Sequence, residues 1–94
     1  MRPPLHQPSH EATEAQPWAP GDPPAHVHTY PYSQHPLLWI YTLGRWRYAV
    51  VHARHTSTGL IAYQADININ DTVPGNYSRT YQWDPACMRI IPRE

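Results

Sequence analysis

Between Leu60 and Ile69, the residues Ile61, Tyr63, Ala65, Ile67 and Ile69 alternate with Leu60, Ala62, Gln64, Asp66 and Asn68. A period of two over this length predicts a strand with one face turned to a core. The segment before it, Leu37 to Leu43, is dense in β-branched, aromatic and aliphatic residues and predicts another strand. Gly44-Arg45 then fits the glycine-first position of a tight hairpin turn, and Trp46 to Arg54 reads as the returning strand. His55 to Gly59 forms a polar turn. Asn70 to Asn76, which includes Pro74-Gly75, is a concentrated loop signal. Tyr77 to Trp83 alternates again and predicts a fourth strand. Asp84-Pro85-Ala86-Cys87 suits a short 3₁₀ turn, and Met88 to Ile91 makes a fifth strand ended by Pro92.

This regularity stops at Pro36. Residues 1–36 hold nine of the twelve prolines and five of the seven histidines, whereas eight of the eleven aromatic residues lie beyond. Each proline removes a backbone donor and biases its predecessor away from helix, and few large aliphatics offset the entropy of ordering. Residues 1–36 are therefore expected to be a disordered proline- and histidine-rich arm, and residues 37–94 an all-β domain. Within the arm, Ser9 to Gln16 tolerates a helical turn capped by Ser9, and Pro17-Trp18-Ala19-Pro20 suits a polyproline II segment able to lie in an aromatic groove.

Arg45-Trp46-Arg47-Tyr48-Ala49-Val50-Val51 on the second predicted strand, with Met88-Arg89-Ile90-Ile91-Pro92 after a 3₁₀ turn, resembles SH3-like barrels and, within them, the Tudor-like branch. Trp46, Ala49 and Val51 match the W-x-x-A-x-V pattern of that family. The resemblance implies a five-stranded SH3-like barrel over the last three fifths of the chain, with the small and aliphatic residues of that strand inward.

Formal net charge is zero, with seven arginines, no lysine and seven acidic residues, far from the charge of a dedicated DNA-binding domain. A single cysteine, Cys87, excludes an intramolecular disulfide and fits a reducing compartment. Met1-Arg2-Pro3-Pro4 lacks the apolar run of a secretory signal, and no stretch reaches membrane-spanning length, so a soluble cytoplasmic protein is expected. No nucleophile motif, phosphate loop or carboxylate pair is present, so no enzymatic activity is expected. His26-Val27-His28 and His52 to His55 offer no third ligand at diagnostic spacing, so no metal or cofactor is expected. Cys87 reads as a buried small hydrophobe.

The aromatic residues carry the functional expectation. Rings on a small barrel can stack on bases, grip a peptide's prolines or surround a methylated cation. Tyr63, Ile67, Tyr81 and Ile90 are assigned to the core, and Trp39, Tyr41, Trp46, Tyr48 and Trp83 to a partly exposed binding surface. Arg45, Arg47 and Arg79 beside those rings would serve a nucleic-acid partner, although a solvated strand face is the preferred account of them, given the modest net charge. The sequence thus points first to a protein- or peptide-binding module. Its alternatives are a nucleic-acid-binding accessory protein and a structural subunit of a homo-oligomer that pairs sheet edges.

Overall fold

The computed structural model describes residues 2–15, 21, 25–69 and 75–92. These residues form six strands: β1 His26–Thr29, β2 Leu37–Thr42, β3 Arg45–Ser57, β4 Leu60–Ile67, β5 Tyr77–Gln82 and β6 Met88–Ile91. A 3₁₀ turn, Tyr32–Gln34, separates β1 from β2. All pairings are antiparallel, in the order β5-β4-β3-β2-β6, and β1 pairs with β3 beside β2. The protein is all-β, but its strands form an open six-stranded sheet where five strands and a closed barrel were expected. The sixth strand lies in the segment expected to be disordered. The Pro17 to Pro20 segment and most of the Asn70 to Asn76 loop lie outside the described residues.

The long strand β3 organises the sheet. Its first half pairs with β2 and its second half with β1, and the change of partner coincides with a bulge between Val51 and Ala53 opposite β4. A bulge adds one residue on one strand, bends it and increases its twist. His52 is the added residue; its carbonyl accepts the Tyr30 N–H at 3.0 Å, which fixes the end of β1.

Both hairpin turns place two consecutive residues at positive φ, Leu43 (51°) with Gly44 (85°) and Thr58 (45°) with Gly59 (80°). Positive φ at both central positions defines the type I′ turn, whose twist suits an antiparallel hairpin. The first turn is therefore Leu43-Gly44, one residue earlier than the expected Gly44-Arg45, with Thr42 opposite Arg45. A leucine is unfavourable at positive φ. Compensation comes from the arm: the Glu11 carboxylate accepts the N–H of Leu43 and of Gly44, both at 2.9 Å.

The core joins Leu38, Ile40, Ala49, Val51, Ala65, Ile67, Tyr81, Cys87 and Met88, each at most 5% exposed, with Tyr41 beside them. Ala49 and Val51 face inward as the W-x-x-A-x-V pattern implied. Ile90, assigned to the core from sequence, is exposed, and Tyr63 is only partly buried. Ile90 lies on edge strand β6, where no further strand covers it.

No helix forms over Ser9 to Ala15. The Ala12 N–H instead bonds the Tyr41 carbonyl of β2 at 2.8 Å, and Glu14 bridges Tyr81 of β5. The Ala15 N–H to Thr80 carbonyl bond and the Gln82 N–H to Thr13 carbonyl bond complete this short ladder. Residues 12–15 thus run from β2 to the outer edge of β5 and satisfy backbone groups that an edge strand leaves unpaired. Among the described residues, no helix is long and apolar enough to cross a membrane.

Candidate functional site

The eight residues expected to form one binding surface are dispersed: the rings fall into three groups, and the arginines are separated. Trp39 and Tyr48 are register partners on β2 and β3, with ring centroids 5.9 Å apart at 76°. Edge-to-face contact of this kind sets the positive edge of one ring against the negative face of the other and holds both in place. Tyr48 is 42% exposed and Trp39 is half-buried. Arg89 of β6 is the register partner of Trp39 on its other side. Leu37 and Val50, paired two residues away on the same face, extend this surface. Among the described residues, neither the Trp39 indole N–H nor the Tyr48 hydroxyl has a hydrogen-bond partner.

Trp46 and Tyr41 form the second group, with centroids 5.5 Å apart. Strand alternation puts them on the face that carries Trp39, but the arm passes over them. The Trp46 indole N–H donates to the His6 carbonyl at 2.9 Å, the His6 ring meets Trp46 edge-on, and the Arg89 guanidinium lies 6.0 Å from the Trp46 ring centroid. Tyr41 is 8% exposed, and its hydroxyl donates to the Gly44 carbonyl. The expectation that Tyr41 is partly exposed is therefore corrected: it belongs to the core under the arm.

Trp83 and Arg79 lie elsewhere, toward β5. Trp83 packs edge-to-face on Tyr63 at 5.8 Å. Arg79 pairs with Glu14 of the arm at 3.4 Å and stacks on Tyr77. Arg45 is exposed next to the hairpin turn. Arg47, expected beside the rings at the surface, is 4% exposed and points inward. Among its contacts it donates to the carbonyls of Thr42 (2.9 Å), Leu43 (3.1 Å) and Asn68 (3.1 Å), and so ties the hairpin to the end of β4.

No family model, curated protein or solved structure matches the chain.

A second cluster was not anticipated from sequence. His10 Nε2 lies 2.6 Å from Asp84 Oδ2, and with Cys87 Sγ these ligand atoms fall within 4.8 Å of one another. A turn does form where one was expected, closed by the Cys87 N–H on the Asp84 carbonyl at 3.1 Å. In the same turn the Ala86 N–H donates to Asp84 Oδ1 at 3.0 Å. The hydrogen bond from His10, with that from Ala86, holds the Asp84 carboxyl below its ordinary range. Burial, reinforced by the Asp84 charge, pushes the Cys87 thiol up to about 11. A buried, protonated thiol is a poor nucleophile, which argues against covalent catalysis at Cys87. His10 is separated from Asp84 by 74 positions, so no sequence spacing marks the cluster. Glu11 and His6, which seat the arm, were missed for the same reason.

Proposed function

We propose that this chain is a small non-enzymatic binding module that recognises a protein or peptide through the sheet face centred on Trp39 and Tyr48. The observation that carries the reading is that pair itself: two rings locked edge-to-face across β2 and β3, with an indole N–H and a phenol that have no hydrogen-bond partner among the described residues. Such rings offer apolar area at low entropic cost and a polar handle for backbone groups of a ligand. Arg89 shares this face as the register partner of Trp39, but its guanidinium already donates to the Pro85 and Met88 carbonyls, so recognition rests on the rings. The proposed fold is SH3-like: β3 carries a bulge where it changes partner, and residues 12–15 bond both β2 and β5. A lone buried cysteine suits the proposed cytoplasmic setting.

A nucleic-acid partner is the weaker reading. Arg47 donates to buried carbonyls and Arg79 pairs with Glu14, so neither is set aside for phosphates. Homo-oligomerisation through sheet edges is likewise less supported at β5, where the arm already takes edge hydrogen bonds.

The test is capture of partners from a native extract by the full chain, compared with Trp39→Ala and Tyr48→Ser. Partners retained by the parent and lost by both variants, with unchanged circular dichroism, support the proposal. Equal retention by all three proteins sinks it. Retention that is abolished by nuclease and weakens steeply with salt would transfer the reading to nucleic acid.

A further inference from the structure

The arm and the turn between β5 and β6 meet at His10, Asp84 and Cys87, and this junction has the composition of a metal site. We infer that these three side chains bind a single zinc-type divalent ion that fastens the arm to the sheet. Three donor atoms of different chemistry, imidazole nitrogen, carboxylate oxygen and a thiol sulfur that gives up its proton to water on metal binding, converge within 4.8 Å. In a tetrahedral zinc site, metal–ligand bonds of about 2.0–2.3 Å place neighbouring ligand atoms roughly 3.3–3.8 Å apart. Entry of the ion thus requires the widest separation to contract by about 1 Å and the 2.6 Å contact between His10 and Asp84 to open by a similar amount.

The surroundings orient the donors. Asp84 Oδ1 is occupied by the Ala86 N–H, which leaves Oδ2 for the ion. The Ser9 hydroxyl lies 3.3 Å from His10 Nδ1, so that nitrogen can carry the proton while Nε2 coordinates. Cys87 is fully buried, whereas the His10 side chain is half exposed and that of Asp84 one third exposed. The ion would therefore sit at the rim, sulfur inward, with a fourth position open to water. A thiolate with an imidazole selects zinc over magnesium or calcium, which prefer all-oxygen ligation.

The consequence concerns the arm. His10 directly precedes Glu11, which holds the Leu43-Gly44 turn, and the ladder of residues 12–15 along β5. Metal at His10 would anchor all of these contacts from a point on the opposite side of the Glu11 clasp from the ladder.

Cobalt(II), added to the reduced, metal-free full chain, tests this directly. The expected result is saturation at one equivalent, with a near-ultraviolet thiolate-to-cobalt charge-transfer band and the visible bands of four-coordinate cobalt, both abolished by zinc. His10→Gln and Asp84→Asn, each altering a side chain outside the core, should weaken cobalt binding about 10-fold or more, and Cys87→Ser should remove the charge-transfer band. Cobalt binding without that band, an affinity unchanged in both His10→Gln and Asp84→Asn, or no binding at all would overturn the inference. Because these two variants leave the buried sulfur in place, the outcome stands even if Cys87→Ser fails to fold.

Discussion

Replacing Arg47 tests whether this residue serves the fold or a ligand. Its guanidinium is buried and donates to the carbonyls of Thr42, Leu43 and Asn68. Hydrogen bonds from a charged group contribute about 1.5–3 kcal/mol each, so three would sum to roughly 4.5–9 kcal/mol if they were additive. Two effects reduce that sum. Leu43 is exposed and Asn68 partly so, which lets their carbonyls take water, and an apolar replacement recovers the several kcal/mol spent on desolvating the cation. For Arg47→Met, which keeps much of the volume, we expect a net loss of about 3 kcal/mol. A chain of this length has a total stability of about 5–14 kcal/mol, so the loss is a large fraction. Arg47→Lys keeps the charge but not the planar fork and should lose about 2 kcal/mol. In urea, with m near 1–2 kcal/mol/M, the Arg47→Met midpoint should fall by about 1.5–3 M at unchanged m. A variant as stable as the parent would show that desolvation outweighs the three bonds and refute the argument. Lost partner binding without lost stability would return Arg47 to the recognition surface.

Leu43→Asn should raise stability by about 1 kcal/mol, because asparagine tolerates positive φ and the exposed leucine side chain gives up little packing; calorimetry would read this as a higher Tm. Glu11→Gln keeps the shape but removes the charge from the clasp on the Leu43 and Gly44 N–H groups, and should cost about 1 kcal/mol and speed proteolysis within the arm; an unchanged cleavage rate would count against the clasp. Burial raises the phenol pKa of Tyr81 and of Tyr63 above the ordinary 10.0. The unfolded chain then releases these protons first, so stability present below pH 10 declines as pH rises through 10, and Tyr81→Phe should flatten that decline in denaturation curves taken across the range.

Much of the β pattern was legible locally. The bounds expected for the strands that became β2, β4, β5 and β6 lie within two residues of those observed, because period-two alternation and flanking turn chemistry are properties of neighbouring residues. The first hairpin register was misread by one. Leucine at positive φ contradicts local preference, and the carboxylate that relieves the turn comes from Glu11, more than thirty positions away. β1 was missed because His26–Thr29 is exposed throughout and shows no buried face in its sequence. The candidate site was legible only in part. Trp39 and Tyr48 remain together on an open face, while Tyr41 and Arg47, which share their strands, are taken into the interior.

Sequence alone determined that the chain is all-β beyond Pro36, where its hairpin turns fall to within three residues, and that its one cysteine lies within an Asp-Pro turn. Tertiary structure decided what each face meets. The arm, expected to be disordered, lies over Trp46, clasps the first turn, pairs with β5 and brings His10 to Asp84. Alternation states which residues share a face, but whether that face meets solvent, a core or a distant segment depends on chain closure over long separations. No local pattern encodes those separations.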